Sequence, residues 1–416
     1  MDNVVEMVSK QLREYVNPAE PTFSRYAALL LHDKAEYLDR FIEKKPFPPF
    51  EVEIQISSRC DLSCRWCIGG ELQEKKHVLE LPNRIKDNFI DKIVEDIINC
   101  EIGGLRIKTV KFSGFIGEPL LYKKKTLKAI KLLHGADIQV GLFTNGVLMD
   151  DDDTRRALLN IDYVHVSLDA GRSSFFWLKE SSKENANYSE EKFDKVISNI
   201  ARLNELRIKK KNSPLRINIG YVIVPGNHDH IYDTARIVKE AGADSIRFKC
   251  DIGGWFALKD EQVRNIAFNQ VAQVEQELRS ELFDVRVVHS KEDVINNTYK
   301  KWNTSLDKAG CFYHNFLATI GSDGNLYFCD HNTMPSAVSL GSVVDDKSFS
   351  DVWLSDRRKF LTDDLRYLCD CGVCPPFGNA VNFFLKKIND LREAHGVTAV
   401  MDAVTILRNE YGGDSA

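Results

Sequence analysis

No run of the 416-residue chain approaches the roughly 18 consecutive apolar residues that a membrane-spanning helix requires. A helical membrane anchor is therefore not expected. The N-terminal MDNVVEMVSKQLREYV carries Asp2 and Glu6 where a signal peptide needs basic residues, and it lacks a continuous apolar stretch. A cytoplasmic protein is the expectation. Basic excess is missing as well, with 56 Lys and Arg against 61 Asp and Glu and a formal net charge of -5. Such a chain has no field to hold a phosphate backbone, so the expected partner is a small-molecule or peptidic substrate, not nucleic acid. There is no internal repeat and no low-complexity segment, which sets aside solenoids and disordered tails.

What is present is an ordinary globular composition, 43% hydrophobic and 28% charged, enough for one large domain with a full core and a smaller one. Short β-branched runs alternate with stretches of helical period between residues 50 and 250. The runs are FEVEIQIS, KTVKFSG, DIQVGLFTN, YVHVSLD, RINIGYVIV and SIRFKC, with helical candidates such as LPNRIKDNFIDKIVEDIINC and SEEKFDKVISNIARLNELRIKK between them. Six strand–helix units imply parallel strands in an α/β fold, a partial (β/α)6 TIM-like barrel with its chemistry at the C-terminal ends of the strands. Residues 1–49 read as a helical lead-in ending in the Pro-rich KPFPPF, and 50–258 as the barrel. Beyond 258 the pattern predicts a long amphipathic helix, a short strand near VRVV and a turn-linked hairpin, LATIGSDGNLYFC. Residues 259–416 thus form a small C-terminal α+β domain with terminal helices.

Ten cysteines include the groups 60/64/67 and 369/371/374. In a reducing compartment such groups are better explained as metal ligands than as disulfides. Cys60, Cys64 and Cys67 fall in the loop after the first strand. Three thiolates there can ligate three irons of a four-iron cluster and leave the fourth open. A zinc site would want a fourth Cys or His nearby, and the loop has none.

The CxxxCxxC spacing with Trp66 before the third cysteine resembles the signature of the radical S-adenosylmethionine (SAM) superfamily over roughly residues 50–255. The resemblance implies SAM on the open iron, its cleavage by one electron to methionine and a 5′-deoxyadenosyl radical, and hydrogen abstraction from a substrate. It further implies cofactor contacts at Gly117, Glu118 and Pro119 of GFIGEP, where the family has a plain GGEP-type motif. Asn145 of FTNG, Ser167 and Asp169 of SLDAG, Asn227 of VPGNHDH and Arg247 of SIRFKC complete the implied SAM set. Cys250 reads either as a small buried hydrophobe or as a hydrogen donor to a substrate radical, and Cys100 as structural.

Cys311, Cys329, Cys371 and Cys374 can supply four thiolates to a second, closed four-iron cluster, with Cys369 as a substitute. Zinc is the alternative there. The arrangement resembles the twitch domain, a shortened SPASM domain, which implies two 4Fe-4S clusters in all and an electron donor such as flavodoxin or ferredoxin. The second cluster could accept an electron from a substrate radical or merely hold the lid.

The expected activity is hydrogen abstraction from a small polyol-type substrate, a sugar or aminocyclitol, giving dehydrogenation, dehydration or epimerisation. A peptide-modifying maturase is the alternative, and a non-catalytic iron–sulfur carrier the alternative of another class. Glu53, Lys249, Asp251, Asp330 and His331 are candidates for acid–base work, none of them chosen.

Overall fold

Alternation along each short strand sends β-branched and aromatic side chains to one face and polar ones to the other. Ten strands form one sheet in a computed structural model that describes residues 2–16, 24–67, 85, 87–114, 117–179, 187–251, 256–296, 310–330, 338–345, 347–363 and 376–411. They are β1 (Glu51–Ile54), β2 (Thr109–Phe112), β3 (Gln139–Thr144), β4 (Tyr163–Ser167), β5 (Arg216–Ile223), β6 (Ser245–Cys250), β7 (Asp284–Val287), β8 (Leu317–Ile320), β9 (Asn325–Tyr327) and β10 (Gly341–Ser342). The order across the sheet is β10-β9-β8-β1-β2-β3-β4-β5-β6-β7.

The first six strands are those that the alternating runs predict. Two further strands extend the parallel array. β7 pairs parallel to β6, and β8, the first strand of the C-terminal hairpin, pairs parallel to β1 with Glu53 opposite Thr319. Eight parallel strands therefore stand side by side, and one sheet crosses the boundary expected at 258. The reason is local: Ala318 and Ile320 present to the layer the same apolar face as Val52 and Ile54, so pairing continues their burial.

Helices cover the apolar face. Val52, Ile54, Val110, Phe112, Val164 and Ile246 are all fully buried in one cluster with residues from the intervening helices. Each such side chain contributes about 1.5–3 kcal/mol relative to exposure.

A second core joins the two ends of the chain. Helices α1 (Asp2–Arg13), α2 (Ser24–His32) and α3 (Ala35–Ile42) pack through Leu12, Leu30 and Leu38 against Ile388 and Val404 of the helices Pro376–His395 and Val397–Tyr411. Phe47 and Phe316, just before β1 and β8, belong to this core, which places the helical layer at the N-terminal ends of the strands. The opposite ends are left for the loops that carry chemistry.

Candidate functional site

The cysteine loop leaves β1 through Ser57, whose hydroxyl accepts the Arg59 N–H at 2.9 Å and turns the chain. A short helix, α4 (Phe175–Lys179), anchors the loop from behind: the Lys179 and Leu178 carbonyls accept the N–H groups of Ser63 and Arg65 at 2.9 and 3.0 Å. Cys67 N–H closes a turn on the Cys64 carbonyl at 3.0 Å. All three thiols are free; Cys60 is exposed, and Cys64 and Cys67 are half-buried. Burial is the main cause that pushes the Cys64 thiol up to about 12, against the attraction of Lys179, and burial with the Glu118 charge raises Cys60 too. Both are neutral thiols unless a cation joins them, which is what iron does. Among the described residues no three His, Cys, Asp or Glu side chains are gathered to hold a single metal ion. Three thiolates from one loop can ligate three irons of a four-iron cluster.

Gly117 lies against this loop. A Cβ there would stand 2.1 Å from the Ser57 carbonyl oxygen, so only glycine allows the approach. Glu118 N–H then donates to the Arg59 carbonyl at 2.7 Å. The buried Glu118 carboxylate accepts from Leu120 N–H at 3.0 Å, the Thr144 hydroxyl at 2.8 Å and Asn145 N–H at 2.8 Å. Burial pushes it up to about 7 in spite of those three donors. Pro119 begins the 3-10 turn that follows. Asn145 Nδ2 donates to Asp61 Oδ1 at 2.7 Å and lies 3.7 Å from Cys60 Sγ. GFIGEP, FTNG and the cysteine loop are thus one hydrogen-bonded frame.

The end of β4 joins it. Asp169, at φ 49°, accepts Val222 N–H at 2.8 Å and the Lys179 ammonium at 3.1 Å. Lys179 Nζ also donates to the Ser167 carbonyl at 2.6 Å and lies 5.9 Å from the Trp66 ring. Burial alone would lower this ammonium's pKa, but Asp169 and Cys64 more than offset it. Lys179 was not among the sequence candidates; its only signal was a lysine following the apolar FFWL. Asn227 is fully buried and spends its side chain on the protein, donating to the Asp169 and Val222 carbonyls at 2.9 and 2.8 Å and accepting Val224 N–H at 2.8 Å. It acts by holding Asp169.

Below these loops the inner face of the sheet is polar. Lys111 Nζ lies 2.8 Å from Glu53 Oε2 and 3.1 Å from Glu51 Oε1. Ser113 donates to Glu53. Arg247 and Lys249 share this face, whereas Cys250 has the parity of Ile246 and Phe248 and lies in their apolar layer, its N–H donating to His289 Nδ1 at 3.0 Å. Cys250 does not share the interior with Arg247 and Lys249. Arg247 acts electrostatically on Tyr163 and His165, and it is Lys179 that stands against Cys64. Asp330, next to Cys329, reaches the interior too and acts on Glu53, Lys111 and Lys249.

Of the second cysteine set, Cys311 and Cys329 are half-buried. Asn382, buried on the helix Pro376–His395, fixes the Cys311 segment: it donates to the Gly310 carbonyl at 2.8 Å and accepts the N–H groups of Phe312 and Tyr313. Sequence reasoning missed Asn382, which sits 69 to 72 positions from the groups that it holds. Cys369, Cys371 and Cys374 lie outside the described residues, as does His331. No described helix is long and apolar enough to cross a membrane.

Comparison with known proteins agrees with this frame. The profile of the radical SAM superfamily matches residues 54–238, and that of SPASM, an iron–sulfur cluster-binding domain, matches residues 311–375. Among curated proteins, a GTPase Obg of Brachyspira hyodysenteriae is 32% identical over 151 residues, 36% of this chain and 20% of that protein. The FeMo cofactor biosynthesis protein NifB of Frankia alni is 23% identical over 210 residues, 46% of this chain and 38% of that one. The chain therefore spans well under half the length of these curated relatives. Among solved structures, SuiB of Streptococcus suis bound to the precursor peptide SuiA superposes with a TM-score of 0.54 at 16% identity, covering 82% of this chain and 74% of SuiB. With the cysteine loop, the Gly117–Glu118 frame and the matched segments in agreement, the chain carries a radical SAM domain over residues 54–238 and a C-terminal SPASM iron–sulfur domain over residues 311–375.

Proposed function

We propose that this protein is a radical SAM oxidoreductase acting on a small, polar, polyol-type substrate such as a sugar or aminocyclitol. The observation that carries this reading is the inner face of the sheet, where Glu53, Lys111, His165, Arg247 and Lys249 replace the branched apolar side chains that fill a closed barrel. A polar face of this kind suits a substrate rich in hydroxyl or amino groups.

Cys60, Cys64 and Cys67 would hold the catalytic cluster. The backbone of Gly117 and Glu118, with Asn145, Ser167 and Asp169, would hold SAM, and Lys179, paired with Asp169, would fix that end of β4. When bound, SAM and the reduced cluster supply one-electron, hydrogen-abstracting chemistry. Cys311 and Cys329, with Cys371 and Cys374 or Cys369, would hold a closed second cluster that accepts an electron. Asp330, which follows Cys329 and acts on Glu53, Lys111 and Lys249, would take a hydroxyl proton as the substrate is oxidised. The electron donor would be a flavodoxin or ferredoxin. A reducing, cytoplasmic setting would suit thiolate ligands.

A peptide-modifying reading is favoured by the likeness to SuiB, solved with its precursor peptide. Against it, α1–α3 are packed into a common core with the C-terminal helices rather than standing as a separate recognition module.

The test is iron and sulfide content after anaerobic reconstitution, with a dithionite assay for 5′-deoxyadenosine, in the wild type and a Cys60/Cys64/Cys67→Ala variant. About eight irons falling to about four, with nucleoside from the wild type alone, is expected for two four-iron clusters. Zinc in place of iron, or no nucleoside, overturns the reading in favour of a scaffold. Nucleoside stimulated by peptides and not by polyols favours the maturase.

A further inference from the structure

Two rings on β4 lean apart across glycines of the neighbouring strands. A Cβ at Gly141 of β3 would stand 2.4 Å from the Tyr163 hydroxyl, and a Cβ at Gly220 of β5 would stand 2.4 Å from His165 Nε2. Glycine inside a strand is unfavourable and marks close approach. Here each glycine makes room for one of the two rings. Gly220 pairs with Arg247 in register, and Val222 with Lys249, so the imidazole lying across Gly220 extends toward the two cations of β6. The charges of both act on His165.

The group is built but incomplete. His165 is 7% exposed, and among the described residues neither ring nitrogen makes a hydrogen bond; its packing is against the Phe143 ring at 4.7 Å. Lys249 is exposed to solvent, on the same face of β6 as Arg247. Among the described residues it makes no hydrogen bond, and no carboxylate lies within 4.0 Å of its ammonium. Asp169, Asp251 and Asp330 act on it only from further away, while Arg247 repels it. Lys111, by contrast, is matched by Glu51 and Glu53. Positive charge is therefore concentrated on one side of the interior, beside a buried imidazole that lacks a partner.

We infer that His165, Lys249 and Arg247 form an anion subsite in the barrel interior, which takes a carboxylate or phosphate group of the substrate. The inference rests on the reading of the interior as the substrate space, and it narrows the class from neutral polyols to acidic or phosphorylated ones. Lys249 supplies the charge complement beside Arg247, and neutral His165 donates a hydrogen bond from one ring nitrogen while its other nitrogen accepts from a hydroxyl of the same bound molecule.

The test is calorimetric titration of the reconstituted full-length protein with sodium gluconate, inorganic phosphate and myo-inositol, with and without saturating SAM. Saturable binding of at least one anion and none of inositol is expected, weakened about tenfold or more in Lys249→Met and His165→Gln and retained in Lys249→Arg. Tighter gluconate assigns a carboxylate, and tighter phosphate a phosphoryl group. Equal binding by wild type and variants, binding of inositol as strong as of the anions, or no anion binding overturns the subsite. Loss of anion binding when SAM is added also overturns it, because the cations then serve the SAM carboxylate. The dithionite assay on the same preparations separates the two claims: anion binding without nucleoside keeps the subsite and removes the radical reading, and nucleoside without anion binding does the reverse.

Discussion

Lys179 Nζ stands 3.1 Å from Asp169 Oδ2, with the two side chains only 2% and 7% exposed. Because the carbonyls of Lys179 and Leu178 also carry the cysteine loop, this ion pair ties the end of β4 to the thiols. Removing the ammonium leaves the Asp169 carboxylate buried with only Val222 N–H as a donor. Lys179→Met is expected to lower stability by roughly 3–5 kcal/mol, and adding Asp169→Asn to restore much of it. Denaturant unfolding of the iron-free protein measures both. A single variant as stable as the wild type would show that the pair does not hold the loop.

Glu118 gives a pH dependence. Its carboxyl is pushed up from 4.5 to about 7 by burial, so the folded chain keeps a proton that the unfolded chain releases. Its contribution is fully present below pH 4.5 and is lost as pH rises through about 7. The loss amounts to about 3 kcal/mol at 1.36 kcal/mol per unit. Glu118→Gln cannot ionise and should flatten stability over that window, at the cost of setting an amide N–H against Asn145 N–H. An unchanged slope in the variant would assign the pH dependence to another group.

The cysteine loop was legible because its chemistry is local: three thiols at fixed spacing directly after an alternating strand. The inner face was legible too, since Arg247 and Lys249 alternate with Ile246 and Phe248. The same alternation decides against Cys250 as an interior thiol, because its parity is that of Phe248. Lys179 was not legible, since its role arises only when FFWLK folds back under the loop and meets Asp169. Nor was the pairing of β8 with β1. LATI reads locally as one arm of a hairpin, and nothing in it names a parallel partner more than 260 positions away. Long-range pairing is set by shared burial, which single-strand patterns do not encode.

Asn382 makes the second cysteine set dependent on a C-terminal helix. Asn382→Ala leaves the Gly310 carbonyl and the N–H groups of Phe312 and Tyr313 without their side-chain partner. Each buried group left unsatisfied costs roughly 1–3 kcal/mol. The Cys311 segment should loosen while the loop of Cys60, Cys64 and Cys67 stays intact. Iron content is expected to fall from about eight to about four with nucleoside formation retained, since a four-iron cluster needs all of its thiolates. Loss of all the iron would mean that Asn382 supports the whole fold and not this segment.

The ring of Tyr163 occupies the space that Gly141 leaves open. A methyl group at position 141 would meet Tyr163 Cζ at 2.2 Å, and the ring cannot retreat easily because it packs edge-on to Phe143 at 5.9 Å. Gly141→Ala should therefore cost about 1–3 kcal/mol through overpacking, beyond the small gain expected from replacing a strand glycine. Tyr163→Leu removes the obstructing atoms, so the double variant should be more stable than the sum of the two single changes predicts, with a coupling on the order of 1 kcal/mol or more. Additive effects in denaturant unfolding would show that β3 and β4 adjust to the methyl group independently of the tyrosine, and that Gly141 is there for the substrate space and not for the ring.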